Sequence, residues 1–553
     1  GIRYRRKVTD GQGTVSYSNT VLIFIVNPTT TEGISLNSNK GTDFWLTFGI
    51  NNVIGNTNYL QLKIAAERAT TVTLTFKDNA SANSTVTVAA GTLATIQLDA
   101  TQKAAAYNET NTTGVTTKSL HITSTDSIVV YAINMASATT DATAIYPVGS
   151  LGKEYYHMGY IPWTGSTRYD GFAIVAPQND THIYQDLLNG TLLATLSAGD
   201  VFNYFGPANT DITGTHIVSD KAVAFFSTTT LAWVPPPTGA GDLLYEQLFS
   251  VDRWGTHFFA PQTEQTKIRV RVLASQNGTD VTATNASLIT DTGGQLTATN
   301  ISQGQFVEFE CVDIAGTYIT ATHPVMVCTY MVGTNYTGLG GTWGDPALGW
   351  IPPIEQKTRA TMVSRFTAGT NLAAGNSTHC ALIVTATSGK ASTMVAVGGG
   401  AAAAVSGVTW YDNIDAGLSF CSYPLTTDDY YWFDNPNGLV IGGYGYGSYE
   451  SYYYLGASAA RVLTAPLLIN GNYSDEIMGN TYDSCTPITF TCAATTTPTS
   501  ITWKVNGVVQ PSYSNLTTWS ATLPVSDYMI EMEAIIGTDT FTQITWFRVR
   551  SCP

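Results

Sequence analysis

Charged side chains are scarce in this sequence, and their scarcity narrows the range of functions. Only 12% of the 553 residues are Asp, Glu, Lys or Arg, about half the usual share for soluble domains. Lys and Arg number 25 against 40 acidic residues, which gives a net charge of −15. Binding to a phosphate backbone requires clustered basic side chains, and the basic cluster from Arg3 to Lys7 alternates like a strand. We therefore expect no nucleic-acid partner.

Long apolar runs are also missing. No stretch approaches the ~18 residues that a membrane-spanning helix needs, and no signal peptide is recognised. Strand-like sequence begins at Ile2, so we expect the chain to be a piece of a longer protein. Lys and Glu are too few for many amphipathic helices, whereas Thr, Val and 30 Tyr residues favour strands. The sequence predicts an all-β protein.

Motifs of catalysis are absent from the sequence. It contains no Gly-x-Ser-x-Gly elbow, no P-loop and no His-Glu-x-x-His. The seven histidines are dispersed. Asp428 and Asp429, beside three aromatic residues, are the best carboxylate pair for a glycosidase, and such a pair works only at the right separation. We expect the protein not to be an enzyme and disfavour a carbohydrate-active one.

A four-fold internal repeat organises the middle of the chain. Each copy begins with an aromatic strand, as in Gly41 to Phe48, and continues with an apolar strand and a Thr/Val strand. A strand opened by Gly follows, and then a two-strand unit with a polar turn, as in Thr215 to Phe226. The repeats span approximately residues 41–151, 152–254, 255–355 and 356–464.

A period near 100 residues suits a β-sandwich-like unit better than a single propeller blade. We therefore predict four tandem sandwich-like repeats within residues 33–464. A closed ring, or a propeller with two blades per repeat, is the alternative. The sequence leaves the packing of the repeats open.

Two further β segments flank the repeats. Residues 1–32 read as the terminal strands of an incomplete immunoglobulin-like domain. Residues 465–553 read as a complete immunoglobulin-like sandwich, because Cys492 precedes Trp503 by eleven residues and Tyr528 stands where a tyrosine corner is expected.

Cysteine spacing excludes the usual zinc motifs, because no Cys-x-x-Cys occurs among the seven cysteines. Buried free thiols and disulfides are the two alternatives. We favour disulfides and expect three of them, with other pairings open in the last domain. The expected pairs are Cys311 with Cys328, Cys380 with Cys421, and Cys485 with Cys552.

The Gly41-Thr-Asp-Phe-Trp strand, the turn and strand at Ser219 to Ala224 and the linkers that run from Asp to Pro resemble a known family. They are similar to the N-terminal domain of the IgG Fc-binding protein family, over about residues 33–464. Residues 4–21 resemble the last strands of immunoglobulin-like repeats in giant surface proteins of Bacteroidota. The resemblance implies an extracellular, cell-surface, non-catalytic protein. It carries no residue motif for Fc contact.

Aromatic residues concentrate in the loops between repeats, and loops on a rigid scaffold often carry binding residues. They either contact a ligand or fill the seams between repeats. The candidate ligand-binding residues are Trp233, Tyr336, Trp343, Trp350, Tyr444, Tyr446 and Tyr449.

Three linker carboxylates, Asp141, Asp242 and Asp345, raise the question of a bound ion. They could bind Ca²⁺, or they could cap turns by accepting backbone N–H bonds. We otherwise expect no cofactor and no metal.

The sequence supports two main functional hypotheses. The first is an adhesin or ligand-binding region of a large surface protein, with a protein or glycan partner. The second is a structural subunit of a filament, stalk or lattice that contacts copies of itself or neighbouring domains through β-strands.

Overall fold

The computed structural model describes residues 2–4, 7–9, 15–17, 21–23, 39–52, 59–237, 239–265, 267–284, 286–287, 296–537 and 539–552. Backbone contacts group residues 37–464 as one unit, and residues 1–36 with 465–553 as another. Both units are built from β-strands, so the predicted all-β class is confirmed.

At the N-terminal end, four short strands pair as two antiparallel ladders, β1 with β4 and β2 with β3. They are β1 (Ile2–Tyr4), β2 (Lys7–Thr9), β3 (Val15–Tyr17) and β4 (Val21–Ile23). The rest of residues 1–32, predicted as terminal strands of an incomplete immunoglobulin-like domain, lies outside the described residues.

Each of the four repeats forms an antiparallel sheet. The first contains β5 (Gly41–Leu46), β6 (Tyr59–Ala66), β7 (Thr70–Phe76), β8 (Ser84–Val88), β9 (Thr92–Gln97), helix α1 (Ala100–Ala106), β10 (Gly114–Thr116), β11 (Leu120–Ala136) and β12 (Thr139–Ile145). The second contains β13 (Gly152–Tyr156), β14 (Asp170–Val175), β15 (Thr181–Gln185), β16 (Thr191–Leu196), β17 (Val201–Phe205), β18 (His216–Ala232) and β19 (Asp242–Leu248). Strand β10 of the first repeat pairs with β17 of the second and so joins its sheet.

The last two repeats follow the same order. The third contains β20 (Gly255–Ala260), β21 (Ile268–Ala274), β22 (Thr279–Ala283), β23 (Ala286–Ser287), β24 (Leu296–Ile301), β25 (Phe306–Cys311), β26 (Thr317–Met331) and β27 (Ala347–Ile351). The fourth contains β28 (Thr358–Val363), β29 (Thr378–Ala386), β30 (Met394–Val397), β31 (Ala403–Ala404), β32 (Tyr411–Asn413), β33 (Leu418–Pro424), β34 (Tyr431–Gly447) and β35 (Glu450–Ala457). Short 3-10 turns lie at Ala80–Ala82, Val148–Ser150, Val251–Arg253, Thr334–Tyr336, Ile354–Gln356 and Thr387–Ser392.

One long strand forms the spine of every repeat, namely β11, β18, β26 and β34. The prediction of two strands around a polar turn was wrong at these positions. In β11 the first half pairs with β5 and β7, and the second half pairs with β6 and β12. The register shifts between Thr123 and Ile128, and the Ser124 hydroxyl donates to the Asp126 carbonyl at 2.7 Å. The polar residues therefore bend the strand through a bulge instead of reversing it.

The glycine that opens a repeat is explained by a close approach. A Cβ on Gly41 would lie 2.3 Å from Pro147, and one on Gly255 would lie 2.6 Å from Pro353. These prolines precede the 3-10 turns that end the first and third repeats. In the fourth repeat the matching strand begins at Thr358 without a glycine.

The last strand of each repeat lies at a common axis. Strand β12 packs against β19 and β35, and β27 packs against the same two strands. The four inner strands β12, β19, β27 and β35 therefore surround the axis, and the repeats close into a ring. The structure therefore has the closed ring that the sequence analysis gave as an alternative to a simple tandem array.

Tyrosine hydroxyls cross the seams between neighbouring repeats. Tyr245 donates to the Thr47 carbonyl at 2.6 Å, and Tyr330 donates to the Gly159 carbonyl at 2.8 Å. Tyr131 donates to the Met362 carbonyl at 2.6 Å and so joins the first repeat to the fourth. Each hydroxyl donates to a backbone carbonyl of the neighbouring repeat, as buried tyrosine hydroxyls usually do.

The disulfides expected inside the repeats do not form, because all four cysteines are buried free thiols. Cys311 and Cys328 lie on β25 and β26, which flank β21 on either side. One intervening strand separates them by roughly 9–10 Å, too far for a bridge. Cys421 pairs with Ile383, three positions from Cys380, so the two thiols point to opposite faces of the sheet.

Residues 465–552 form a sandwich of two sheets around Phe490, Trp503 and Phe547. Cys485 and Cys552 are joined by a disulfide with a Cα separation of 5.9 Å, and Cys492 is a free thiol. The strands are β36 (Leu467–Ile469), β37 (Asn472–Tyr473), β38 (Thr481–Asp483), β39 (Ile488–Cys492), β40 (Ser500–Val505), β41 (Val508–Val509), β42 (Thr518–Ala521), β43 (Ser526–Ile536) and β44 (Asp539–Arg550), with a 3-10 turn at Pro511–Tyr513. The Tyr528 hydroxyl donates to the Pro524 carbonyl at 2.9 Å, as in a tyrosine corner.

Candidate functional site

Three loops meet at one end of the ring axis, because each joins a long strand to an inner strand. They connect β18 to β19, β26 to β27, and β34 to β35. We call this surface the axial loop face and define it as residues 233–237, 239–241, 332–344 and 448–449.

Backbone hydrogen bonds fix these loops to one another. The Gly333 N–H donates to the Val234 carbonyl at 2.7 Å, which joins the second repeat to the third. The Tyr449 N–H donates to the Thr342 carbonyl at 2.8 Å, which joins the fourth repeat to the third. The hydroxyls of Thr342 and Ser448 lie 2.8 Å apart. The face is therefore preorganised, which lowers the entropy lost on binding.

Two of the candidate aromatic residues are exposed on this face. Trp343 is 38% exposed, and its ring packs edge-on against Tyr446 with 6.0 Å between centroids. Tyr449 is 41% exposed in the turn between β34 and β35. Both offer a large apolar surface and a polar tip on fixed backbone.

Trp233 is half-buried at the edge of the same face. Its indole meets the edge of Trp163 at 5.9 Å between centroids. The backbone N–H of Trp163 donates to the Leu231 carbonyl at 2.7 Å, which holds the loop after β13 against the end of β18. The sequence analysis missed Trp163, although the Pro162-Trp163 pair in an inter-strand loop carries the same signal as Trp233.

Tyr336 is a half-buried residue whose polar tip is already in use. Its hydroxyl donates to Glu310 at 2.6 Å and accepts from Arg269 at 3.2 Å. The Lys267 ammonium lies 4.5 Å from the ring centroid, a cation–π contact. Tyr336 therefore supports the loop more than it offers a free contact.

The remaining three candidates are buried, which corrects the expectation that they contact a ligand. Trp350 packs its ring against Phe249 at 4.5 Å, in the seam between the second and third repeats. The Tyr444 hydroxyl lies 2.9 Å from that of Ser422 inside the fourth repeat. Tyr446 is buried behind Trp343. Trp350 fits the alternative interpretation, in which aromatics fill the seams between repeats.

Asp141 lies on the axis below the face and binds all four inner strands. Its Oδ1 accepts the N–H groups of Ala142 at 2.9 Å and Tyr453 at 3.2 Å. Its Oδ2 accepts those of Tyr245 at 3.0 Å and Leu348 at 2.9 Å. Burial raises the pKa of Asp141 well above its usual value, although the four hydrogen bonds oppose this shift.

This arrangement argues against Ca²⁺ at Asp141, because both of its oxygens are occupied by backbone donors. Among the described residues, no three His, Cys, Asp or Glu side chains are grouped so as to hold a metal ion. Asp242 Oδ1 likewise accepts the N–H groups of Thr140 and Leu243. The alternative reading, carboxylates that accept backbone N–H bonds, describes Asp141 and Asp242.

Asp428, one member of the Asp428–Asp429 pair considered for catalysis, forms an ion pair with Arg365. Arg365 Nε lies 3.0 Å from Asp428 Oδ1, and the Thr367 hydroxyl donates to the same oxygen at 3.0 Å. Partial burial would raise the pKa of Asp428, but these hydrogen bonds lower it below its usual value. A glycosidase acid needs a raised pKa, so Asp428 does not suit this role.

Aromatic side chains on fixed loops of a closed β scaffold are typical of a binding surface. A family model described as IgGFc binding protein matches residues 141–445, which is more than half of the chain. The chain belongs to this family, whose members are non-enzymatic binding proteins.

A curated relative supports the same family. The human IgGFc-binding protein is 28% identical over 244 residues, which cover 41% of this chain and 4% of the human protein. The chain thus spans a small part of the length of this relative.

Solved structures give weaker likenesses. The four N-terminal Ig domains of Dscam1 isoform 4.44 are 10% identical with a TM-score of 0.13, covering 72% of this chain and 98% of that one. Escherichia coli alpha-2-macroglobulin activated by porcine elastase is 9% identical with a TM-score of 0.13, covering 93% of this chain and 53% of that one. Neither likeness defines the fold. In the part of the chain that the structure describes, no helix is long and apolar enough to cross a membrane.

Proposed function

We propose that this chain is an extracellular binding module of a large surface adhesin, and that the axial loop face binds a protein partner. The observation that carries the proposal is the exposure of Trp343 and Tyr449 on loops from two repeats that are hydrogen-bonded to each other. Exposed aromatic residues on rigid backbone are frequent anchors of protein interfaces.

The choice of a protein partner rests on the family. Both the family description and the name of the human relative specify binding to IgG Fc, which is a protein region. IgG Fc is therefore the first partner to test. A glycan that stacks on the same aromatic rings is the competing ligand, and one experiment can separate the two.

The experiment compares the wild-type chain with Trp343→Ala and Tyr449→Ala in surface plasmon resonance against Fc and on a glycan array. Truncation of a central aromatic anchor costs about 2 kcal/mol or more, which corresponds to roughly a 30-fold loss of affinity. The matched control is Ile414→Ala, since Ile414 is 92% exposed at the turn between β32 and β33, at the end of the fourth repeat away from the face.

The outcomes distinguish the hypotheses. Loss of Fc binding in both face variants, with wild-type affinity in the control, supports the proposal. If the wild type binds a glycan and both face variants lose this binding, the partner is a glycan and not a protein. Unchanged binding in both variants, or a wild type that binds neither partner class, contradicts it. A thermal unfolding midpoint equal to that of the wild type serves as the control that each variant is folded.

A second candidate is a structural subunit assembled through β-strand contacts. Strand β41 is an edge strand of the sandwich formed by residues 465–552, and its Val508 and Val509 are 64% and 46% exposed. Exposed apolar edge strands favour pairing with another chain. Concentration-dependent filaments in electron microscopy that vanish in Val508→Lys would support this role, and a monomer at all concentrations would contradict it.

A further inference from the structure

Three acidic side chains occupy one level of the ring axis, directly beneath the axial loop face. Asp242 opens β19, Glu450 opens β35, and Asp345 lies two residues before β27. Each is no more than 1% exposed. We call these three residues the axial carboxyl layer. The corresponding level of the first repeat is occupied by Thr139 and Thr140.

The layer has few partners for its oxygen atoms. Asp242 Oδ1 accepts two backbone N–H groups, but Asp242 Oδ2, both oxygens of Asp345 and Glu450 Oε2 have no hydrogen-bond partner within the described ranges. No Lys, Arg or His there forms an ion pair with any of the three. The next levels of the axis add two more buried carboxylates, Asp141 and Glu246.

Such a cluster cannot be fully ionised in a folded ring. A buried carboxylate loses its hydration, and each charged neighbour disfavours it further. Burial raises the pKa of Glu450 to about 8. Burial is also the main cause that raises the pKa of Asp242, and the nearby charges of Asp345 and Glu450 raise it further. The pKa of Asp345 is raised mainly by burial and, in addition, by the charge of Glu450.

The layer is also tied to the loops above it. Tyr449 directly precedes Glu450, and Trp343 lies two residues before Asp345. The Asp345 N–H donates to the Ser451 hydroxyl at 2.9 Å, so the third and fourth repeats meet at this level. A change of charge here acts on the strands that close the ring and on the residues that form the face.

We propose that the axial carboxyl layer is a proton-dependent closure of the ring: neutral carboxyl groups let the inner strands pack, and ionisation loosens the axis and the loops above it. The groups that face the layer are Asp141 and Thr140 on β12, Asp242 on β19, Asp345 on the loop before β27, and Glu450 with Ser451 on β35. This inference concerns ring closure and holds whichever partner binds.

The direction of the pH dependence follows from the raised pKa values. A carboxyl group that is protonated in the folded chain and ionised in the unfolded chain stabilises the fold fully below its unfolded pKa, near 4. That stabilisation is lost as the pH rises through the folded pKa. The layer therefore predicts a ring that is more stable at pH 6.5 than at pH 8.

Other groups restrict the useful pH window. Burial lowers the pKa of His379 to about 4, and this group contributes the opposite slope up to about pH 6.5. Burial lowers the pKa of Lys63 to about 8, which gives an opposite slope mainly above pH 8. Between pH 6.5 and 8 these two groups contribute little, whereas the buried acids Asp141 and Glu246, whose pKa values burial also raises, add to the slope in the same direction. The contribution of the layer is therefore the difference in slope between the wild type and variants of the layer.

The test is urea unfolding of the full chain at pH 6.5 and pH 8. A single carboxyl group with a folded pKa near 8 changes the folding equilibrium constant about tenfold across this interval. We expect Glu450→Gln to reduce the wild-type pH dependence by about that factor, and Asp345→Asn to reduce it as well. The matched controls, Glu109→Gln and Asp415→Asn, change exposed acids and retain the full dependence.

Three results would overturn the proposal. The first is a wild type equally stable at both pH values. The second is variants that retain the wild-type slope. The third is stabilisation by millimolar Ca²⁺ that removes the slope, since the layer would then bind a cation. If neither variant folds, the proposal is tested in the wild type through the fluorescence emission of Trp343. Comparison with Trp343→Phe identifies the contribution of this residue to the spectrum. A shift to longer wavelength between pH 6.5 and 8 without unfolding supports the closure, and a constant spectrum contradicts it.

Discussion

Asp141 contacts all four inner strands through one carboxylate. Its two oxygens accept four backbone N–H groups, one from each of β12, β19, β27 and β35. Strands around an axis cannot all pair edge to edge, so their N–H groups need another acceptor. The side chain supplies that acceptor from within the first repeat.

A substitution at this residue is expected to be costly. In Asp141→Asn the amide nitrogen replaces one acceptor oxygen, and two buried N–H donors lose their partner. Each unsatisfied buried donor costs about 1–3 kcal/mol, so we expect the free energy of unfolding to fall by roughly 2–6 kcal/mol in urea titrations. Asp415→Asn, at an exposed turn, serves as the control. Equal stability of the two variants would show that Asp141 does not hold the axis together.

Exposure separates aromatic residues that the sequence cannot tell apart. Trp343 and Trp350 are seven residues apart in one segment, yet Trp343 is exposed and Trp350 is buried against Phe249. Likewise, Tyr446 is buried, whereas Tyr449, three residues later, is exposed. Loop composition predicted that aromatic residues would cluster here, but their burial depends on the neighbouring repeat, which local sequence does not specify.

At the scale of elements, the repeated strands were largely predictable from alternation of apolar and polar residues. The polar segment inside β18 misled that reading, because Ser219, Asp220 and Lys221 resemble a turn. The structure keeps the strand continuous because its two halves pair with different neighbours. Periodicity identifies a strand, whereas its continuity depends on partners distant in sequence.

The opening glycines yield a test at this scale. Gly41→Ala places a Cβ 2.3 Å from the Pro147 ring, whereas Gly149→Ala, in the adjacent 3-10 turn, meets nothing within 4 Å. Overpacking costs typically about 1–3 kcal/mol. We expect that loss in the unfolding free energy of Gly41→Ala and a change within about 0.5 kcal/mol for Gly149→Ala. A neutral Gly41→Ala would mean that β5 and the turn move apart freely.

At the scale of the whole molecule, ring closure distinguishes residues 37–464 from a linear repeat array. In a linear array each repeat contacts only its neighbours in sequence, and a terminal repeat can be removed. Here Tyr131 and Tyr454 pack at 4.5 Å between centroids, which joins the first repeat to the last.

Removal of one repeat is therefore expected to affect the other three. A chain that lacks residues 356–464 loses two seams and exposes the axis with its buried carboxyl groups. We expect no cooperative thermal transition by circular dichroism and aggregation in size-exclusion chromatography. A chain that lacks residues 465–553 keeps all four repeats and serves as the control. Cooperative melting of the three-repeat chain near the full-length midpoint would argue for a linear array.

The sequence by itself determined the all-β class, the four repeats and the family, because periodicity and repeated motifs are local properties of the chain. Only the tertiary structure decided that the repeats close into a ring, that Asp141, Asp242, Asp345 and Glu450 meet on its axis, and that the four cysteines of the repeats remain free. The ring and the axial cluster depend on distances between residues about 100 to 300 positions apart, whereas the free cysteines follow from the strand order and register within one repeat. Such distances are set by packing between repeats, and no local pattern encodes them.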